Sequence, residues 1–148
     1  MVAAARAAGL AEPGFRRVPD GDTASLVRRI REAFGPGLAH GAGEPLWASL
    51  QASALPAPAP HSLAALCGLG PPDIPVLLLV EDWARSERPG LCAFETTLSG
   101  AIVALENHHL VEFYIVPPSL AWLVAENHHN VLLAAGDHAV SVLTGVGG

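Results

Sequence analysis

The chain has 148 residues and a formal net charge of −6, so it is long enough for one buried core and too acidic for a general nucleic-acid-binding surface. No apolar run approaches the roughly 20 residues of a bilayer-spanning helix, and the first residues lack the apolar core of a secretory signal. Cys67 and Cys92 form no C-x-x-C motif. We therefore expect a cytoplasmic protein with reduced cysteines and with no nucleic-acid or membrane partner.

The chain is expected to form one domain over residues 1–148. Residues 1–21 combine alanines with Pro-Gly and Pro-Asp-Gly turns and are predicted to be irregular. Residues 22–34 are predicted to form a helix, because their apolar residues recur at spacings of three and four. This apolar stripe consists of Leu26, Val27, Ile30 and Phe34. The proline-rich segment 55–60 is predicted to be a stiff connector inside the domain.

The second half of the chain alternates predicted strands with predicted helices. The strands are expected at 74–80, 91–95, 110–116 and 131–135. Helices are expected at 96–107 and 119–130, and 139–143 is expected to return as a hairpin partner. This alternation predicts an α/β fold, or its α+β variant, with a single layer of four to five mixed strands and packed helices. The strand–helix–strand units should give parallel strand pairs.

The sequence Glu-Asn-His-His occurs twice, at 106–109 and 126–129, each time at the predicted end of a helix and before a strand. Three interpretations are open. In the first, each copy is a helix stop, because Asn tolerates the left-handed conformation and His in the last turn complements the helix dipole. Adjacent side chains diverge, so one His of each pair would pack inward while the other faces solvent.

In the second interpretation, the two copies hold a metal ion. Glu-x-x-His places a carboxylate and an imidazole on one helix face, as in di-iron bundles, but the strands predicted after each copy exclude a four-helix bundle. A mononuclear site would take one His from each copy if the two turns are adjacent. The ligand candidates are His109 and His129, with Glu106, Glu126 or Asp137 as the carboxylate.

In the third interpretation, the His pairs belong to a recognition surface whose charge changes between about pH 5 and 8. Glu112, on an otherwise apolar strand, is expected either to face outward or to pair with a neighbouring His. The candidate binding residues are Glu106, His108, His109, Glu112, Trp122, Glu126, His128, His129 and Asp137.

The C-terminal third resembles a family of small, uncharacterised bacterial proteins. The similarity lies in EFYIV at 112–116, Trp122-Leu123, ENHHNVLL at 126–133 and Gly136. That family carries an acidic–aromatic strand, a Trp, and Asn-His-His before a last strand, and the Glu-Asn-His-His copy at 106–109 is not part of the pattern. The resemblance implies no particular activity, but proteins of this size and type look like immunity or accessory binding proteins.

We therefore predict a non-enzymatic protein-binding domain of immunity or accessory type, with no cofactor. Its partner should be another protein, and an acidic surface that includes the His-rich turns would steer a basic partner. The alternative is a metal-dependent hydrolytic enzyme that uses both Glu-Asn-His-His copies, with a divalent metal as its cofactor.

Overall fold

The computed structural model describes residues 1–35, 45–55, 63–82, 90–108 and 112–145. Within these residues, seven strands form one antiparallel sheet. In chain order the strands are β1 (Phe15–Arg17), β2 (Ser53–Leu55), β3 (Pro75–Asp82), β4 (Gly90–Thr97), β5 (Phe113–Val116), β6 (Leu123–Glu126) and β7 (Leu132–Ala135). Their order across the sheet is β1-β4-β3-β5-β6-β7-β2, so both edge strands are only three residues long.

Helices cover both faces of this sheet. They are α1 (Val2–Ala7), α2 (Asp20–Phe34), α3 (Leu98–Glu106) and α4 (Asp137–Thr144), with 3-10 helices at Leu46–Ser49 and Leu63–Leu69. The first core cluster joins one sheet face to α1, α3, α4 and Leu63–Leu69. The second core cluster joins the other face to α2 and Leu46–Ser49. As a result, every residue of β5 and β7 is buried.

None of the helices in the described parts of the chain combines the length and the apolarity needed to cross a membrane.

The predicted fold class is confirmed, with one layer of strands and helices packed on it. The helix predicted at 22–34 is confirmed as α2, which buries Leu26 and Ile30. The seven strands exceed the four to five predicted. Part of the difference arises because 1–21 is not irregular throughout but contains α1 and β1. The predicted connector begins at Leu55, the last residue of β2, and its other residues lie outside the described ranges.

Two predicted elements near the C-terminus are wrong. The segment 119–130, expected to be a helix, contains the strand β6. The segment 139–143, expected to be a hairpin strand, lies within the helix α4. For β6 the cause is burial of the sheet on both faces, which gives the strand a continuous apolar run without a period of two. Such a short run cannot be distinguished from a buried helix by periodicity.

The parallel strand pairs expected from strand–helix–strand units are also wrong. Helix α3 carries the chain from β4 to β5, but β3 lies between these two strands and pairs antiparallel with both. The strands β5, β6 and β7 then follow as an antiparallel meander. A crossover that skips one strand produces no neighbouring parallel pair, which is why the local sequence pattern did not predict the pairing.

One end of the sheet brings together the start of β5 and the turn between β6 and β7. Phe113, the first residue of β5, pairs with Glu126, the last residue of β6, and Glu126 pairs with Leu132 at the start of β7. The end of β3 lies at the same place, since the Glu81 N–H donates to the carbonyl of Glu112 at 3.2 Å. The residue before β5 and the β6–β7 turn are therefore neighbours.

We predict that Gly136→Ala destabilises the protein by about 3 kcal/mol or more. Gly136 has φ +86°, and an added Cβ would lie 2.6 Å from the carbonyl oxygen of Ala121. Gly145→Ala is the matched control, because Gly145 has φ +70° but open space around the added Cβ. The control should lose about 1–2 kcal/mol from backbone strain alone. Urea denaturation measures both losses, and equal losses would contradict the predicted close approach.

Candidate functional site

The buried carboxylate of Glu112 is the centre of the candidate site. Its residue is only 3% exposed although it lies just before β5 at the end of the sheet. Glu112 Oε1 accepts a hydrogen bond from the hydroxyl of Tyr114, and Oε2 lies 3.2 Å from Nδ1 of His128. Hydrogen bonds to a charged group contribute about 1.5–3 kcal/mol each, so these two partners offset much of the cost of burying the carboxylate.

The hydrogen-bond donors and acceptors around Glu112 can be assigned from their chemistry. The backbone N–H of Trp47 can only donate, and it donates to the Tyr114 hydroxyl oxygen at 3.0 Å. The single hydrogen of that hydroxyl therefore points to Glu112. An ionised carboxylate only accepts, so Nδ1 of His128 carries a hydrogen and donates it to Oε2. In the neutral imidazole, Nε2 of His128 is then the acceptor.

Tyr114 lies in the core and is shielded from solvent. Burial, the hydrogen bond to Glu112 and the negative charge of Glu112 together raise the pKa of the Tyr114 hydroxyl far above its ordinary value. Burial is the largest of these causes. The hydroxyl therefore stays protonated at neutral pH and remains a donor to Glu112.

The β6–β7 turn is held by the side chain of Asn127, which is buried. Its Oδ1 accepts the backbone N–H groups of His129 and Val131, each at 3.0 Å. Asn130 adopts the left-handed conformation with φ +57°, which Asn tolerates better than most residues. The turn that carries His128 and His129 is therefore fixed by its own sequence.

Three rings contact one another above the buried carboxylate. We call Trp47, His128 and His129 the ring cluster. The ring centroids of His128 and His129 are 4.0 Å apart. The Trp47 ring centroid lies 5.7 and 5.9 Å from those of His128 and His129, with the ring planes inclined by 71° and 87°. Trp47 is half-buried, whereas His128 and His129 are exposed.

Among the candidate residues that the structure describes, it brings together Glu112, His128 and His129. Glu112 and His128 form the pair expected as one of the two environments for Glu112, and His129 lies beside His128. Trp122 is buried in the first core cluster, on the opposite sheet face from Trp47 and Tyr114.

The remaining candidate residues lie at the end of β6, at or just after the end of α3, at the start of α4, and outside the described residues. Glu126 is the last residue of β6, directly before the turn. Asp137 is exposed in the first turn of α4, and Glu106 is exposed at the end of α3. His108 follows the cap of α3, and His109 lies outside the described residues.

The two Glu-Asn-His-His copies have different structures. The first copy ends a helix as predicted, since Glu106 is the last residue of α3 and Asn107 is its C-cap, but Asn107 has φ −97° and does not adopt the left-handed conformation expected of it. The second copy is not a helix stop, because it spans the end of β6 and the β6–β7 turn. Asn127 stabilises that turn through its side chain, which the sequence-based interpretation as a helix cap did not anticipate. The site that would pair His109 with His129 lies partly outside the described residues and stays a prediction.

Two residues of the site were missed by sequence reasoning. Tyr114 could have been found, because residues two apart on a strand share a face and Glu112 and Tyr114 have that spacing. Trp47 gave no local signal, since it comes from a 3-10 helix 67 residues away from Tyr114 in the chain. The described residues contain no group of three or more His, Cys, Asp and Glu side chains arranged to hold a metal.

Comparisons of the chain with protein-family models, with curated proteins and with solved structures find no match, so the functional argument depends on the geometry of the site.

We predict that Tyr114→Phe lowers the free energy of unfolding by about 1–3 kcal/mol, because the Trp47 N–H and one Glu112 oxygen lose their shared partner. The raised pKa adds a pH dependence. The stability from protonated Tyr114 is fully present below the unfolded value of about 10 and is lost as pH rises further. The wild type should therefore lose more stability above about pH 10 than Tyr114→Phe.

Absorbance titration tests this directly, because Tyr114 is the single tyrosine of the chain. Tyrosinate should appear only together with unfolding, followed by circular dichroism on the same sample. Ionisation near pH 10 in protein that is still folded would contradict the buried hydrogen bond to Glu112.

Proposed function

We propose that the chain is a cytoplasmic, non-enzymatic protein-binding domain of bacterial immunity or accessory type, and that the ring cluster is the centre of its docking surface. The supporting observation is that three rings contact one another, that one of them, His128, is hydrogen-bonded to a buried carboxylate, and that the two imidazoles are exposed. Aromatic residues are enriched at the centres of protein interfaces.

Preorganisation of the turn supports this proposal. Asn127 fixes the backbone at His129, and Glu112 holds the ring of His128. Side chains that are already ordered lose less conformational entropy when a partner binds. The His128 Nε2 acceptor gives the surface a polar contact of defined direction beside the Trp47 ring.

Charge around the ring cluster favours a basic partner. Glu112 lies beneath His128, Glu126 precedes the turn, and Glu81 is adjacent to Glu112 through a backbone hydrogen bond. The chain as a whole carries a net charge of −6. Acidic groups of this kind raise the association rate of a basic protein, and salt reduces that rate.

The second candidate is a hydrolytic enzyme, with a divalent metal held by the two Glu-Asn-His-His copies. The observation in its favour is the Glu112–His128 pair, because a carboxylate that orients an imidazole is typical of general-base sites. The exposed position of His128 on a hairpin turn is better suited to contact with a macromolecule.

Affinity capture from the source cells tests the binding proposal, with the full chain as bait. We expect at least a tenfold lower yield of the main basic partner with a His128→Ala, His129→Ala double variant. A double variant Arg28→Ala, Glu32→Ala is the matched control, since it removes two exposed side chains from α2 and leaves the ring cluster intact.

The captured partner should then bind purified wild-type chain with an association rate that falls as salt rises. Binding that is equal for the wild type and the His128, His129 double variant would refute the proposed surface. Loss of binding in the α2 control alone would place the interface elsewhere.

A further inference from the structure

We propose that His128 and His129 form a two-imidazole binding site for a divalent ion of the zinc and copper class, with Glu112 as the outer carboxylate that orients His128. The proposal depends on the geometry of the β6–β7 turn and is independent of the protein partner. It also differs from the site with one His from each Glu-Asn-His-His copy, because both ligands come from the second copy.

The first argument is the tautomer of His128. Since Nδ1 donates to Glu112 Oε2 at 3.2 Å, the lone pair of the neutral ring lies on Nε2. The side chain of His128 is 50% exposed, whereas that of Glu112 is 2% exposed. The ring therefore has one edge anchored in the protein and a metal-binding nitrogen on its other side.

The second argument is the position of His129. Its ring centroid is 4.0 Å from that of His128, with the ring planes inclined by 49°. Two imidazoles that share a zinc ion at about 2.0–2.1 Å have centroids about 5 Å apart. A rotation of the exposed His129 ring that opens the pair by about 1 Å brings the two rings to this separation, and Asn127 keeps the backbone of the pair in place.

The third argument is the hydrogen bond beneath His128. Histidine ligands in metal sites usually donate their second N–H to a carboxylate, which fixes the ring and increases its basicity as a ligand. Glu112 occupies this outer position, and Tyr114 holds its other oxygen. A chance pair of surface histidines has no such support, so the carboxylate distinguishes a built site from an adventitious one.

Two imidazoles leave part of a tetrahedral coordination sphere open. Within the described residues, no third His, Cys, Asp or Glu side chain joins the two imidazoles in a group that could hold a metal ion. The other positions would hold water in the isolated chain. Nitrogen ligands of this type suit zinc, copper and nickel rather than magnesium or calcium.

Calorimetric titration of the untagged chain with zinc chloride tests the proposal. We expect one zinc ion per chain, and at least tenfold weaker binding in His128→Ala and in His129→Ala. Glu112→Gln should weaken binding 10- to 100-fold, the usual effect of removing an outer-sphere partner. Where circular dichroism shows that Glu112→Gln does not fold, Glu112→Asp replaces it, because the shorter side chain no longer reaches His128.

A control variant outside the site isolates the predicted contacts. His138→Ala removes a histidine whose Nε2 lies 2.9 Å from the Leu69 carbonyl, away from the turn, and should not change binding.

Each remaining outcome counts against the site. Zinc affinity that is equal in the wild type and Glu112→Gln would show an adventitious ion only, bound by a chance His pair. Unchanged affinity in His128→Ala would place zinc elsewhere. Because this titration uses the isolated chain, its failure leaves the protein-binding proposal intact, and loss of partner capture leaves the metal site intact.

Discussion

The pairing of the Glu112 carboxylate with Tyr114 and His128 is the constraint on which this end of the structure depends. A carboxylate that is 3% exposed is costly to bury unless each oxygen finds a donor, and here each oxygen has one. The two donors come from β5 and from the β6–β7 turn. A third segment, the 3-10 helix with Trp47, joins the network through its backbone N–H. The burial cost of one side chain thus selects one arrangement of three separate segments.

The same network connects the fold to the proposed function. Because the Tyr114 hydroxyl and Nδ1 of His128 both donate to Glu112, Nε2 of His128 is left as an acceptor or a metal ligand. The sheet provides a rigid base for this arrangement, since helices bury β5 and β7 on both faces. The turn, in contrast, presents its two imidazoles to solvent. Rigid support with an exposed, directed group is what a recognition site requires.

The sequence predicted the elements whose signals are local. The helix stripe of Leu26 and Ile30, the helix α3 and the strand β3 all depend on neighbouring residues, and the structure contains each of them. The strand β6 was interpreted as a helix, because burial on both sheet faces removes the alternation that identifies a strand.

The candidate site could be predicted from the sequence only where its signals are local. Glu112 and the His pair stood out as polar residues in apolar surroundings, whereas the contact between Trp47 and Tyr114 joins distant parts of the chain. Trp122 and Asp137 were grouped with them by proximity in sequence, but Trp122 lies on the other face of the sheet and Asp137 begins α4.

The most direct test of the central claim is the tautomer of His128, read from its two ring nitrogen shifts by nuclear magnetic resonance of uniformly ¹⁵N-labelled protein. The spectrum of His128→Ala identifies the signals among the seven histidines. The network predicts that the neutral ring carries its hydrogen on Nδ1 and that Glu112→Gln or Glu112→Asp shifts this population toward the Nε2–H form, which predominates in free histidine. A wild-type ring with its hydrogen on Nε2 would contradict the account.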